Sequence, residues 1–340
     1  MGAGMLQYSH GIPRNQQKGD RTIKESIRRK NGGGVALLTL FAMLLCMAFS
    51  LGASATGGAE STLPRSVDGG AADGGKSAVI TYNLPPVSNK SIAAHKQMTT
   101  IVYGKALSDP ALEINGITYL PLRAVATALG LNVSYNSTAR TMTVSGKGLY
   151  LTATDGGFVT YANDRPLFSF SPNVIMSNGR MYIPASALTR AVGMTFTATD
   201  GTVTLNGSFR ALTPAGSFYR EDEVFWLARI ITAEAQGESL LGQIAVGDVI
   251  LNRVRSDSFP NTIYSVIFDR KWGVQFSPVA DGRIYNTPTY TATLAAKICL
   301  EGTSLSDNAM YFLNPKTATS SWIVNNRTYA YTIGNHYFFL

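Results

Sequence analysis

The stretch Glu221-Asp222-Glu223-Val224-Phe225-Trp226-Leu227-Ala228-Arg229-Ile230-Ile231-Thr232-Ala233-Glu234-Ala235-Gln236 reads as a helix. Acidic residues fill its first turn, where the helix dipole favours negative charge. Val224, Leu227, Ala228, Ile231 and Ala235 recur at helical spacing and form one apolar stripe. At about 100° per residue, Glu234 falls about 20° from Leu227, at the edge of that stripe. Gly237 then stops the helix. A carboxyl group in this setting is partly withdrawn from water, and desolvation raises its pKa. A raised pKa is what a general acid needs to protonate a glycosidic oxygen near neutral pH. The same carboxylate could instead neutralise a buried arginine such as Arg253, and the pattern alone leaves both readings open.

Downstream, residues 240–254 are apolar on several faces and predict a central buried helix, broken by Ser258-Phe259-Pro260-Asn261. Residues 291–300 predict another apolar helix, in which Cys299 serves as a small core residue. Upstream lies an internal repeat. Residues 115–131 align without gaps to residues 178–194 at an offset of 63 positions. Asn115-Gly116 and Asn178-Gly179 are tight hairpin turns. Tyr119-Leu120 and Tyr182-Ile183 are short strands, and Pro121 and Pro184 suit the first turn of the helix that follows. Gly130 and Gly193 cap those helices. A strand pattern comes next, over 140–144 and 202–205. Each unit is hairpin, helix and strand, so the repeat is an α+β module built twice.

Residues 56–98 are rich in Gly, Ser, Ala and Pro and predict a flexible linker. Before them, a basic segment precedes the apolar run 35–51 and the small-x-small pattern Ala53-Ser54-Ala55, the layout of an export signal over residues 1–55. The apolar run is near the lower length limit of a membrane span, so an uncleaved anchor is the other reading. The net charge is +8, but residues 1–34 hold seven Lys and Arg against two acids. Five of the eight charges therefore lie there, and the remaining three do not make the basic stripe that nucleic acid needs. Cys46 falls in the apolar run, leaving Cys299 with no internal partner, so this is no disulfide scaffold.

The repeat Asn-Gly-x-x-Tyr-Leu/Ile-Pro…Ala…Gly resembles the stalk domain named after the N-terminal domain of copper amine oxidases. That resemblance predicts a domain over 99–210 that binds wall or partner, or acts as a spacer. His95 is the only histidine between residues 56 and 217, so no copper site is expected.

The last domain, 218–340, resembles the spore cortex-lytic and cell wall hydrolase family. The blocks that carry the resemblance are Ala233 to Glu238, Gly242 to Val246 and Val249 to Val254, then Phe259 to Ile263, Gln275 to Val279 with Asp281-Gly282, Ala309 to Pro315 with Trp322, and Ile333 to His336. Gly247-Asp248 and the run Lys271-Trp272-Gly273-Val274 depart from the pattern, and the stalk module occupies the place where a peptidoglycan-binding repeat often stands. The resemblance implies a lysozyme-like α+β fold that cleaves peptidoglycan between N-acetylmuramic acid (MurNAc) and N-acetylglucosamine (GlcNAc), by lytic transglycosylation in the cortex-lytic members. It gives Glu234 the role of lone general acid and base, without cofactor or metal.

Gln275 and Asn314 are expected to hydrogen-bond acetamido groups, and Phe276, Tyr285, Tyr311 and Trp322 to stack on sugars. Glu238 and Asp281 are the candidates for a second carboxylate, which a hydrolytic muramidase needs. His336 is expected to be structural. A zinc amidase needs about three protein ligands, and the last domain has a single histidine. A non-catalytic wall-binding or spore structural protein is the remaining alternative. The expected partners are glycan strands and a regulatory or spore membrane protein, not nucleic acid. The expected location is the wall or cortex, with membrane contact only through the N-terminal segment.

Overall fold

The computed structural model describes residues 95–340 except 170–173, 272, 307 and 319. The export signal, Trp272 and residues 56–94 lie outside the described residues; the linker expected over 56–98 ends earlier than its composition suggested, because Lys96, Gln97 and Met98 already pair as strand. The described chain forms two compact units, 95–218 and 219–340. Both mix helix and sheet, the α+β class expected.

In the first unit, β1 (Lys96–Val102) and β2 (Lys105–Ala106) precede the hairpin β3 (Ala111–Ile114) and β4 (Ile117–Pro121), which leads into α1 (Leu122–Ala128). A meander of five strands follows: β5 (Asn132–Asn136), β6 (Thr141–Gly146), β7 (Leu149–Thr154), β8 (Val159–Ala162) and β9 (Arg165–Phe168). The second repeat then supplies β10 (Ile175–Ser177), β11 (Arg180–Pro184), α2 (Ala185–Val192), β12 (Thr195–Thr199) and β13 (Thr202–Asn206). Asn115 and Gly116, like Asn178 and Gly179, all have positive φ. That is the two-residue turn whose twist matches the flanking strands. Both prolines end a strand rather than sitting inside the helix, and each occupies the N-cap.

The two repeats meet edge to edge. Antiparallel β4 and β11 pair Tyr119 with Pro184, Leu120 with Ile183 and Pro121 with Tyr182. Because Tyr119 and Pro121 correspond to Tyr182 and Pro184, the Leu120–Ile183 pair lies on a local two-fold. The sheet order is β10-β11-β4-β3-β1-β13-β12, with β2 beside β1. The β1 and β13 strands, from opposite ends of the unit, pair in parallel with Thr99 opposite Thr202 and Val102 opposite Leu205. Buried residues from both repeats and the meander, among them Leu120, Ile183, Leu151 and Val203, share one core.

The second unit is built on three helices that pack on one another: α3 (Glu221–Ala235), α4 (Leu240–Arg255) and α7 (Tyr290–Leu300), with α5 (Ile263–Ile267) and α6 (Ser277–Asp281) between. The helix α4 is buried along nearly its whole length, as its unbroken apolar pattern predicts. A Cβ on Gly247 would come 2.7 Å from the Cys299 sulfur and 3.0 Å from Ile231 Cδ1. Gly247 therefore sets how closely α3, α4 and α7 approach. Asp248, the next residue, is fully buried and accepts from the Leu305 backbone N–H at 2.6 Å. Gly247 and Asp248 are among the positions where the sequence departs from the family pattern, and here they carry helix packing and a buried hydrogen bond. The C-terminal part adds β14 (Tyr311–Leu313), α8 (Trp322–Asn326) and the hairpin β15 (Tyr329–Ile333) and β16 (His336–Phe339), in sheet order β14-β16-β15.

Candidate active site

A cavity of about 1300 Å³ opens in the second unit. That exceeds the roughly 300–1,000 Å³ of ordinary small-molecule pockets and has room for a chain of linked units. The end of α3 supplies Glu234, and the loop after it supplies Glu238. The segment before α6 supplies Gln275 and Phe276, and β14 with its following turn supplies Tyr311 and Asn314. Trp322 comes from α8.

Glu234 sits half-buried on that wall, and its carboxyl group makes no hydrogen bond or ion pair among the described residues. Burial pushes its pKa up to about 7; the Arg283 guanidinium opposes this and Asp281 adds to it. Arg283 is held in place by an ion pair to Asp281 at 2.9 Å and by a hydrogen bond to the Ala233 carbonyl at 3.1 Å. The arginine that Glu234 feels is thus Arg283, not Arg253. Arg253 is buried elsewhere on the cavity wall, donating from Nε to the Met310 carbonyl at 2.7 Å.

The two candidate second carboxylates are both engaged. Glu238 accepts from the Asn335 backbone N–H at 3.1 Å and from Asn335 Nδ2 at 2.9 Å. Its carboxylate lies 3.7 Å from His336 Nδ1, beyond hydrogen-bond length. Burial lowers the His336 pKa, with Glu238 opposing, so this histidine is neutral at pH 7. Asp281 is off the cavity wall, bound to the backbone N–H and guanidinium of Arg283, which hold its pKa below the usual carboxylate range.

The aromatic candidates divide. Trp322 is half-exposed on the wall beside Tyr311, with ring centroids 6.5 Å apart, an arrangement suited to a sugar face. Phe276 lines the wall but is buried against Phe312, at 6.4 Å. Tyr285 stands off the wall and packs its exposed ring with Trp226 and Phe268. Gln275 donates from Nε2 to the Gly273 carbonyl, and Asn314 Oδ1 accepts from the Lys316 N–H.

Sequence reading missed Asp269, Arg283 and Arg327 on this wall. Arg283 was the findable one, two residues beyond the Asp281 already singled out. Among the described residues no group of three His, Cys, Asp or Glu could hold a metal ion, and no helix is long and apolar enough to cross a membrane.

Residues 237–339 match the cell wall hydrolase family model, and residues 101–206 match the copper amine oxidase N-terminal domain model. A cell wall hydrolase CwlJ of Oceanobacillus iheyensis is 30% identical over 106 residues, which are 29% of this chain and 74% of that protein. The chain belongs to the cell wall hydrolase family. A spore cortex-lytic enzyme of Bacillus cereus is 45% identical over 120 residues, 35% of this chain. The chain spans about 45% of that relative's length. The catalytic domain of the germination-specific lytic transglycosylase SleB from Bacillus anthracis is 44% identical, with a TM-score of 0.34; the match covers 38% of this chain and all of that one. The cell wall hydrolase match lies entirely within the unit that holds the cavity.

Proposed function

We propose that this cell wall hydrolase is an exported enzyme that cleaves peptidoglycan glycan strands, with spore cortex as its substrate, by lytic transglycosylation at the MurNAc–GlcNAc bond. The observation that carries the reading is Glu234, unpaired among the described residues on the wall of a large cavity, with its pKa raised to about 7. At neutral pH a large fraction of this group is protonated and able to deliver a proton to the leaving glycosidic oxygen. The resulting carboxylate takes a proton from the C6 hydroxyl of the MurNAc unit. That oxygen bonds to C1 as the C1–O bond to the leaving sugar breaks, giving a 1,6-anhydro end. One carboxyl group serves as acid and then base, so no second carboxylate is required.

Support for transglycosylation over hydrolysis comes from Glu238 and Asp281, whose oxygens are already committed to Asn335 and Arg283. One observation favours the hydrolytic muramidase as a second reading: Asp269 also lines the cavity, offering a carboxylate to activate water. In both readings the stalk unit spaces the enzyme from its anchor or binds the wall.

The test is digestion of purified cortex and vegetative peptidoglycan by the full chain, with mass spectrometry of the products. Anhydro-muropeptides from the wild type and from Asp269→Asn are the expected result. Reducing ends that vanish in Asp269→Asn would establish the muramidase instead, and freed stem peptides an amidase. Glu234→Gln is expected to lower cleavage by about 10²–10⁴-fold, the usual worth of a general acid. Full activity in that variant removes Glu234 from its role.

A further inference from the structure

Arg253 is a cation with almost no water around it. It is 5% exposed, and burial lowers its pKa to about 10, so it is still charged at pH 7. A desolvated charge is costly unless paired, and Arg253 forms no ion pair among the described residues. Its Nη1 has no hydrogen-bond partner. Three rings surround it instead: Phe259 at 4.9 Å, Phe276 at 5.1 Å and Tyr311 at 5.3 Å from the guanidinium carbon. Aromatic faces attract a cation without consuming its N–H donors.

A second guanidinium approaches the same tyrosine from the rim. Arg327, exposed and without an ion pair among the described residues, lies 4.6 Å from the Tyr311 ring and 4.9 Å from that of Trp322. Both arginines line the cavity that holds Glu234. Scaffolding alone would be served by an apolar side chain in place of Arg253, at lower desolvation cost. Two charged forks with spare donors beside one ring match the planar, two-oxygen geometry of a carboxylate.

We propose that Arg253 and Arg327, gathered around Tyr311, form an anion subsite that takes a carboxylate carried by the MurNAc unit. This rests on the glycan-cleaving reading only for the identity of the sugar. The carboxylate has two sources, the lactyl ether itself or the stem peptide attached to it. The subsite would let the enzyme tell a MurNAc unit from an unsubstituted GlcNAc unit and fix the register of the strand against Glu234. Pairing with a carboxylate would also offset part of the desolvation cost of the buried Arg253 guanidinium.

The test uses the full chain with Glu234→Gln to prevent turnover and ¹⁵N-labelled arginine. Three probes are titrated: di-N-acetylchitobiose, GlcNAc-MurNAc with a free lactyl group, and GlcNAc-MurNAc bearing L-Ala-D-Glu. The chitobiose lacks only the lactyl substituent. The Arg253 Nε–H resonance, assigned by its loss in Arg253→Lys, is expected to shift saturably with one or both MurNAc probes and not with chitobiose. A response to the free lactyl probe alone locates the source there, and a response to the peptide probe alone locates it in the stem.

Affinity for the responding probe should exceed that for chitobiose by about tenfold or more, the scale of a charged hydrogen bond. Arg327→Gln, on the exposed rim where folding is not at stake, should narrow that preference severalfold. Equal affinity for all three probes, or a preference untouched by Arg327→Gln, overturns the subsite. If the preference is present but the wild type cleaves no peptidoglycan, the subsite stands and the cleavage reading falls. Cleavage without preference gives the reverse.

Discussion

Glu234 holds its proton up to about pH 7, well above the usual carboxylate range, because burial outweighs the Arg283 field. Activity that depends on the protonated form should be flat below about pH 7 and fall about tenfold per unit above it, read as kcat/KM against pH. The same shift sets a stability effect of definite sign. Between 4.5 and 7 the folded state binds a proton that the unfolded state has released, so stability falls as pH rises through that window. Above pH 7 the loss approaches about 3 kcal/mol, at 1.36 kcal/mol per unit. Glu234→Gln should therefore raise the melting temperature at pH 8 and leave it unchanged near pH 4. An equal change at both pH values would mean that the carboxyl group is not desolvated. Placing Glu234 needed only the helical period of α3. Its neighbours were harder, since Arg283 and Asp269 reach the cavity through turns that carry no periodic signal.

At the scale of elements, the turn after α3 is braced to the C-terminal hairpin by one carboxylate. Glu238 bridges the start of α4 to Asn335 in the β15–β16 turn, and Gly334 leaves space for it, since a Cβ there would collide with Glu238 Oε2. Sequence reading took Glu238 as a candidate second acid; the cap of α4 is its neighbour Ser239, which accepts from the Gly242 N–H. A partner 97 residues away leaves no local mark in a sequence, and so this contact was illegible. Glu238→Ala should cost about 1–3 kcal/mol in urea unfolding, the penalty of deleting a buried charged acceptor. A loss below about 0.5 kcal/mol would show that the hairpin is held by packing alone. The short strands β14 to β16 were likewise unread, because a few aromatic residues fit strand and buried loop equally well. The helices α3, α4 and α7 were legible because their apolar runs are long.

At the scale of the molecule, repetition in the sequence does not mean repetition of independent modules. The repeat predicted two copies of hairpin, helix and strand, and those elements are present. The strand expected over 140–144 is β6, but its place in the five-stranded meander β5–β9 was not expected, and neither was the way the copies interlock through β4 and β11. Strand partners from different repeats are set by tertiary packing, which no single-sequence pattern encodes. Residues 95–155 alone would expose the β4 edge and lose the β13 partner of β1. Such a fragment should be unfolded by circular dichroism or should dimerise by re-forming the β4–β11 pair between chains. A stable folded monomer would show that the copies are independent after all.

The parallel pair β1–β13 bears on how the chain carries load. The chain enters the first unit at the start of β1 and leaves beyond the end of β13, so those two points lie at opposite ends of the paired ladder. Tension between the two termini of the unit pulls the strands past each other lengthwise. All the rungs then resist together, whereas strands peeled apart from one end give way one rung at a time. Once the trailing segment 207–218 has been stripped from its contacts with Val192, Ala191 and Asn163, the shear-loaded ladder is the element that must break. If the unit spaces the enzyme from its anchor as proposed, tension would act in this direction, and the pairing of first strand with last is what would carry it.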